Sequence, residues 1–406
     1  MKQVRDSLLY TVGYILCLIS QWALTVVIVQ ITGLSDSGYF ALAISVCSVF
    51  FFIASYGMRS YQISDINCQY SDAVYIASRK YTTLVGLAAC IVYSILGGYD
   101  VRQIVIIILF MLFRCCEAIY DVLHGVWQRN GNLKSVGISL CVKAFVNFAA
   151  FFVPYFFSQS LEFGLLCMVA SAVILLLIDG AETKKYVSFK NVKQADRGAV
   201  FALLKATFVM MVFILCSPAI SSIPRIILEK IHGKVVLSIY SNISAPTVLI
   251  SSFASCFFLP LIPKFADSYD RKDGKTIAKL LLGSCLFMVV VGALAVIAAK
   301  LLGYTVIDLV YGNKTAQSSY LLSYVIISVT LSSLIMCLNN FLTAIRKLKS
   351  ELIFSLLGLL VCVILSAVLI RRYGMIGAAL AMCVSQGIQI LAEIFYIGYQ
   401  LKLCKE

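Results

Sequence analysis

The stretch that decides the fold is 8–31, LLYTVGYILCLISQWALTVVIVQI, in which no side chain is charged. A helix that crosses a bilayer needs about 20 consecutive, mostly apolar residues, and this run is long enough. A second apolar run begins soon afterwards, at 38. The first run is therefore interpreted as a retained membrane helix rather than a cleaved signal peptide. It predicts an integral membrane protein.

The composition of the whole chain supports this prediction. Of the 406 residues, 61% are hydrophobic and 13% are charged, whereas soluble domains are about 45–50% apolar and about 25% charged. These values exclude a soluble globular protein and intrinsic disorder. The net charge of +14 is assigned to the cytoplasmic loops of a membrane protein rather than to nucleic-acid binding, so no nucleic-acid partner is predicted.

The fold class predicted from these runs is all-α integral membrane, with about twelve transmembrane helices. Short alternating segments, which would indicate a barrel, are not seen. The predicted spans are 8–31, 38–57, 81–98, 103–123, 136–157, 161–178, 199–222, 235–260, 277–302, 319–341, 352–370 and 376–401. Most Lys and Arg residues lie in loops on the same side of the membrane as the N-terminus. Basic residues collect in cytoplasmic loops, so both termini are predicted to be cytoplasmic.

The polar and basic segment 181–198 leaves six predicted spans on each side. We therefore predict an N-terminal six-helix lobe at 1–180, a basic cytoplasmic linker at 181–198 and a C-terminal six-helix lobe at 199–406. A weak internal echo accompanies this division. Gly33 precedes a Gly-Tyr-Phe stretch in the second span, and Gly233 precedes an Ile-Tyr-Ser stretch in the eighth.

Charged residues inside the spans are the strongest functional signal, because each costs about 2.5–3.5 kcal/mol on insertion scales. The fourth span carries Arg114, Glu117 and Asp121 on one helix face. They form either an ion pair that locks the bundle or the wall of a substrate cavity with a proton-accepting carboxylate. Lys143 and Lys205 either extend to the membrane interface or form a basic patch open to the cytoplasm.

The last span carries Gln386, Gln389 and Glu393 on one face. Two interpretations are open: hydrogen bonding between helices, or a carboxylate at Glu393 that couples transport to protons.

Three prolines, Pro218, Pro224 and Pro246, lie in the hairpin formed by the seventh and eighth spans. Proline removes a backbone hydrogen bond and kinks a helix, so the hairpin contains either a static bend or a hinge.

Signatures of enzymes are missing from the sequence. The two histidines, His124 and His232, are too few for a multi-histidine metal site. His124 is expected at the membrane interface. Phosphate-binding loops and nucleophile elbows are also missing. No catalytic residue, metal or cofactor is predicted.

Two segments carry a resemblance to a known family. The first is GYFALA at 38–43 followed by YGMRSYQISD at 56–65, and the second is SSIPR at 221–225. They resemble the polysaccharide-biosynthesis flippases of the O-antigen and capsule type, in the multidrug/oligosaccharidyl-lipid/polysaccharide exporter superfamily. The length, the number of spans and the cytoplasmic termini extend the resemblance to the whole chain.

The resemblance implies two six-helix bundles around a central V-shaped cavity. It also implies a substrate in which a few sugars are linked to undecaprenyl diphosphate. The cations that would line such a cavity here are Arg59, Arg114, Lys143, Lys205 and Arg225. Arg59 has an alternative role, because it could pair with Asp65 as a structural clamp.

The function implied by the resemblance is translocation of this lipid-linked oligosaccharide to the outer leaflet by alternating access, for surface polysaccharide such as capsule, O-antigen or lipopolysaccharide. Proton coupling would use Glu117, Asp121 or Glu393. The expected location is the bacterial inner (cytoplasmic) membrane, with a polysaccharide polymerase and a chain-length regulator as candidate partners. Three alternatives stay open: a multidrug exporter of the same superfamily, a membrane-embedded glycan polymerase or ligase, and a purely structural partner in a polysaccharide export complex.

Overall fold

A computed structural model describes residues 2–65, 68–258, 261–345 and 347–403. Over these ranges the chain forms helices joined by short turns, and no strand occurs, so the predicted all-α class is confirmed. The helices are α1 Lys2–Thr32, α2 Leu34–Ser55, α3 Met58–Ser64, α4 Asp72–Leu96, α5 Val101–Arg129, α6 Leu133–Ser158, α7 Leu161–Thr183, α8 Phe189–Lys193, α9 Arg197–His232, α10 Lys234–Ser244, α11 Val248–Phe258, α12 Ile262–Asp270, α13 Gly274–Tyr311, α14 Asn313–Ala316, α15 Leu321–Ala344 and α16 Leu348–Leu403.

Among the described residues, ten helices are long and apolar enough to cross a membrane. The last of them extends over Leu348–Gln400 and contains both of the final predicted spans. Its backbone leaves the helical region at Gly374, where φ is 56° and ψ is −127°. Glycine tolerates this conformation because it has no Cβ. The predicted span 81–98 falls largely within α4, which is a helix but is not among the ten.

The surface of the described chain is the reverse of that of a soluble protein. Large apolar side chains point outward, and Leu96, Leu309 and Phe395 are each more than 80% exposed. Polar side chains such as Gln386 are buried instead. Hydrocarbon is a good solvent for the first group and a poor one for the second, so this arrangement fits a bilayer environment.

The chain divides into two compact units, 1–215 and 216–406. The boundary lies inside α9, whereas the basic segment 181–198 belongs to the first unit and contains the short helix α8. The lobe boundaries at 180 and 199 stay a prediction. Gly33 and Gly233 connect α1 to α2 and α9 to α10, with φ of 86° and 83°. The weak sequence similarity between the two halves is thus accompanied by a similar backbone conformation at these two turns.

At one end of the first unit, Arg102 ties together the beginnings of three helices. Its guanidinium lies 3.0 Å from Asp36 in the first turn of α2 and 2.6 Å from Glu162 in the first turn of α7. It also lies 4.8 Å from the ring centroid of Tyr39. These contacts fix the registers of α2, α5 and α7, whose inner faces carry the site described next.

Candidate functional site

The first unit contains an open cavity of about 380 Å³ lined by α1, α2, α3, α5, α6 and α7. Three of the five predicted cations, Arg59, Arg114 and Lys143, contribute to its lining, together with the predicted proton acceptors Glu117 and Asp121. Aromatic rings form much of the remaining wall, including those of Tyr10, Tyr14, Phe51, Phe110, Tyr120 and Phe148. The cavity is therefore both charged and aromatic.

One wall depends on the close approach of α1 and α6. A Cβ on Gly13 would lie 2.7 Å from the carbonyl oxygen of Gly137, so neither helix could carry a larger residue there without moving. Further along the same interface, the Ser20 hydroxyl donates to the carbonyl of Ala144 at 3.0 Å. This tight contact positions Lys143, the neighbour of Ala144, against the cavity.

On α5, Arg114 and Glu117 form a salt bridge across one helical turn. The Arg114 guanidinium also lies 3.8 Å from the ring centroid of Phe51. The sequence left open whether these residues pair or line a cavity, and the structure has both arrangements at once. Both side chains keep part of their surface exposed, so the pair can exchange partners at modest cost.

Lys143 is the most deeply buried cation of the cavity, with 6% of its surface exposed. Its Nζ lies 2.5 Å from Asp179 Oδ2 and 3.0 Å from His124 Nε2. Ser139 donates to Asp179 at 2.9 Å, and the ring centroid of Tyr120 is 3.2 Å from Nζ. One interpretation of the sequence was that Lys143 extends to the membrane interface. The structure instead points its side chain at the cavity.

Arg59 lies 3.5 Å from Asp121, and its guanidinium donates to Gln128 Oε1 at 3.0 Å. A second guanidinium, that of Arg79, lies 3.5 Å from the other oxygen of Asp121. Arg79 is buried and donates to the carbonyl oxygens of Ala54 and Ser55 at the end of α2. Asp121 is thus shared between a cation of the cavity and a cation that supports the backbone.

These three clusters compensate most of the positive charge around the cavity, with four cations sharing three carboxylates. Arg114 pairs with Glu117, Lys143 with Asp179, and Arg59 shares Asp121 with Arg79. The predicted cations are therefore present but compensated. An anion entering the cavity has to compete with carboxylates for them, and a cation has to compete with the basic side chains for the carboxylates.

The other two predicted cations lie apart from this cavity. Lys205 is exposed on α9 in the first unit. Arg225 belongs to the second unit, where its guanidinium lies 6.0 Å from the ring centroid of Tyr240 and its Nε has no hydrogen-bond partner among the described residues. Neither contributes to the lining of the first-unit cavity.

Glu393, the third predicted proton acceptor, lies in the second unit and is completely buried. It accepts a hydrogen bond from Gln389 at 2.8 Å, while its Oε2 has no partner among the described residues. Gln386 bonds instead to Ser328 and Ser332 of α15. The hydrogen bonding between helices expected of this face is therefore provided by Gln386, and Glu393 is a buried carboxyl without a cation within 4 Å in the described chain.

The three predicted hinge prolines occupy two kinds of position. Pro218 and Pro224 lie inside the continuous helix α9. Pro246 lies in the one-turn 3₁₀ helix Ala245–Thr247 that separates α10 from α11. A helix interrupted in this way has fewer backbone hydrogen bonds to break when it bends.

Sequence reasoning missed two side chains of the site. Asp179 lies just past the end of the predicted span 161–178, but α7 continues to Thr183 and carries Asp179 inward. His124 was expected at the interface, but it is 2% exposed and faces Lys143 and Asp179. A buried lysine requires a nearby carboxylate, and that requirement was the signal that could have identified Asp179.

The expected alternative pairing of Arg59 with Asp65 is wrong. Arg59 points into the cavity, and Asp65 is bound by Arg129 at the end of α5, at 3.4 Å. Arg129 also lies 3.1 Å from Asp72 at the beginning of α4. Arg129 therefore links Asp65 at the end of α3 to Asp72 at the beginning of α4, and Asp65 has a partner other than Arg59.

Replacing Asp65 by asparagine tests this clamp. Burial alone raises the pKa of Asp65, but hydrogen bonds from Gln69, Tyr70 and Tyr75 and the charge of Arg129 hold it below its ordinary value of 3.8. Because the folded-state pKa is lowered, the carboxylate stabilises the fold above about pH 4, and this contribution is lost as pH falls through the lower folded pKa.

We therefore expect Asp65→Asn to lower the free energy of unfolding by about 1–3 kcal/mol at pH 7, with a smaller difference at pH 3. Denaturant unfolding of the detergent-solubilised protein at both pH values measures this. An equal difference at the two pH values would contradict the assignment.

No protein-family model matches the chain. The capsular polysaccharide biosynthesis protein CapF of Staphylococcus aureus is 29% identical over 394 residues, covering 95% of this chain and 96% of that protein. The lipid II flippase MurJ, in an inward closed conformation, has a TM-score of 0.72 at 14% identity, covering 97% of this chain and 87% of that one.

A multidrug resistance MATE transporter of the MOP superfamily, in an inward-facing conformation, has a TM-score of 0.71 at 10% identity, and the match covers 95% of each chain. The chain has the fold of these two solved transport proteins. The predicted resemblance to capsule-type polysaccharide-biosynthesis proteins is confirmed by the relative from Staphylococcus aureus. The two solved relatives are a transporter and a flippase by name, and at 10–14% identity the likeness to them is one of fold.

Proposed function

We propose that the protein moves an undecaprenyl-diphosphate-linked oligosaccharide from the cytoplasmic to the outer leaflet by alternating access. The observation that carries this proposal is the first-unit cavity, in which Arg59, Arg114 and Lys143 lie together among aromatic rings. A diphosphate needs cations, and sugar rings pack on aromatic faces. The whole-length relative named for capsular polysaccharide biosynthesis supports the same class of substrate.

In this proposal the substrate exchanges partners with the protein. The diphosphate takes the place of Glu117 at Arg114, because the guanidinium can bind either anion in a bidentate manner. The freed carboxylate then faces an aromatic cavity without its cation. Proton coupling in this proposal uses Glu117 or Asp121 in the first unit, or Glu393 in the second.

Several predicted features remain part of the proposal. These are the six-helix lobes at 1–180 and 199–406, the linker at 181–198, the central V-shaped cavity and the roles of Lys205 and Arg225 in binding the head group. We further propose a bacterial inner membrane location, cytoplasmic termini, and cooperation with a polymerase and a chain-length regulator. Among surface polymers, the curated relative favours capsule over O-antigen and lipopolysaccharide.

The experiment that tests this function uses cells lacking the gene. We expect one lipid-linked oligosaccharide to accumulate on the cytoplasmic leaflet, and mass spectrometry of the extracted lipids to identify its sugars. Expression of the intact gene should clear the accumulated lipid. Normal surface polysaccharide and no accumulation in the deletion strain would contradict the proposal.

A multidrug exporter is the second candidate. Each cation of the cavity has a carboxylate partner, which a cationic drug could bind, and a solved multidrug transporter has the same fold. Reconstituted vesicles distinguish the two functions. Transport of a fluorescent cationic drug without transfer of lipid-linked oligosaccharide favours the exporter, and the reverse favours the flippase.

Pro224→Ala is expected to slow lipid transfer by about tenfold, because restoring a backbone hydrogen bond stiffens α9. The control is Pro154→Ala, which makes the same change inside α6 and should leave the rate near that of the wild type. Transfer of a fluorescent lipid-linked sugar in vesicles measures both rates. Equal transfer rates for the two variants would contradict a hinge at Pro224.

A further inference from the structure

A second concave surface lies on the first unit, outside the cavity. It is a groove of about 600 Å³ between α4, α8 and the beginning of α9. We call it the interfacial groove and define it by Lys80, Tyr81, Leu84, Leu87, Lys193 and Arg197. No residue lines both this groove and the cavity. Whatever the groove binds is therefore separate from the transported head group.

The cations of the interfacial groove are uncompensated. Lys80, Lys193 and Arg197 are exposed, and within the described ranges none of them has a carboxylate oxygen within 4 Å. The nearest acid in sequence, Asp196, accepts hydrogen bonds from the backbone of Gly198 and Ala199 instead. This contrasts with the cavity, where each cation has an acidic partner, and it leaves three positive charges available to an external anion.

The rest of the interfacial groove is apolar and faces outward. Tyr81 is 44% and Leu84 63% exposed on the lipid-facing side of α4. At the floor lies Arg79, which is 1% exposed; its terminal nitrogens are bound, but its Nε has no partner among the described residues. The groove thus combines a positive end and a positive floor with hydrocarbon-like walls.

We propose that the interfacial groove binds an anionic glycerophospholipid of the surrounding membrane, with its phosphate at Lys80, Lys193 and Arg197 and an acyl chain against Leu84 and Leu87. Basic pockets between helices on the cytoplasmic side are suited to such head groups. Two of these cations, Lys193 and Arg197, lie in segment 181–198. This segment is predicted to be cytoplasmic.

Binding at the groove reaches the cavity through one residue. Arg79 lines the groove and also shares Asp121 with Arg59 of the cavity. Because Arg79 is 1% exposed, a lipid phosphate at Lys80, Lys193 and Arg197 acts on this guanidinium through its charge and not by direct contact. Binding of the lipid can be measured without a transport assay.

The test measures lipid binding to the full-length protein by native mass spectrometry, with phosphatidylglycerol and phosphatidylcholine of equal chain length. We expect preferential binding of phosphatidylglycerol. The triple variant Lys80→Gln/Lys193→Gln/Arg197→Gln should bind it at least about tenfold more weakly. Leu84→Trp, which fills the groove but keeps its charges, should also weaken binding.

A matched triple variant controls for net charge. Lys134, Lys184 and Lys190 are exposed cations on the same predicted side of the membrane, and they do not line the groove. Their replacement by glutamine should leave phosphatidylglycerol binding within about twofold of the wild type.

Four results would overturn the proposal. The first is equal binding of the two phospholipids, and the second is equal loss of binding in the groove and control variants. The third is displacement of phosphatidylglycerol by inorganic phosphate at similar concentration, which would indicate a simple anion site. Preferential binding of undecaprenyl diphosphate alone would also contradict it and would assign the groove to the substrate.

Discussion

Lys143→Ala is expected to lower the free energy of unfolding by about 3–5 kcal/mol, which is the cost of leaving a buried charge without its partner. The carboxylate left behind is that of Asp179, which lies 2.5 Å from Nζ in the intact protein. His124 and Ser139 remain as partners, but they cannot replace the full positive charge. Thermal unfolding in detergent should show a large drop in midpoint and a lower yield of folded protein.

The double variant Lys143→Ala/Asp179→Ala separates folding from transport. Removing both charges should recover most of the lost stability, because no buried charge remains unpaired. Transfer of lipid-linked oligosaccharide should stay low, since the cavity has lost a cation. Lys134→Ala, an exposed lysine on the same helix, is the control and should behave as the wild type. Wild-type transfer by the double variant would show that Lys143 is only structural.

Arg114→Ala is expected to lower transfer by about 10–100-fold, the worth of one charge-assisted hydrogen bond to the diphosphate. Stability should change by less than about 1 kcal/mol, because the Arg114–Glu117 pair is partly exposed. Initial rates in reconstituted vesicles measure the first quantity, and thermal unfolding measures the second.

Arg271→Ala is the matched control for Arg114→Ala. Arg271 forms a short-range pair with Asp267 on α12, and both side chains are largely exposed. Its loss should change neither transfer nor stability. Equal transfer rates for Arg114→Ala and Arg271→Ala would contradict a binding role for Arg114, and a large loss of folded protein in Arg114→Ala alone would assign the pair a structural role.

The helical architecture was predictable because each span must satisfy its backbone internally and present apolar side chains to lipid. Uncharged runs such as 8–31 therefore mark helices without knowledge of tertiary contacts. The limits appear at ends and joints. The chain passes from one predicted span to the next with only the break at Gly374 between them, and α7 continues past its apolar run to carry Asp179 inward.

The candidate site was predictable in part. The cost of a charge in hydrocarbon singled out Arg114, Glu117, Asp121 and Lys143 from one sequence. The partners of those charges were not predictable, because pairing depends on which helix faces which. Asp65 and Arg59 are close in sequence yet pair with Arg129 and Asp121 of α5. The compensated charge of the cavity follows from such pairings, so the sequence alone indicated a more cationic site.

The most direct test of the account is photocrosslinking of the substrate head group to the reconstituted protein. The probe is an undecaprenyl-diphosphate-linked sugar that carries a diazirine on its first sugar. We predict labelled peptides from the two cavity walls, 10–21 of α1 and 110–124 of α5, with labelling reduced by excess unlabelled substrate. Labelling confined to outward-facing positions such as Leu96 and Phe395, or labelling that excess substrate leaves unchanged, would contradict the account.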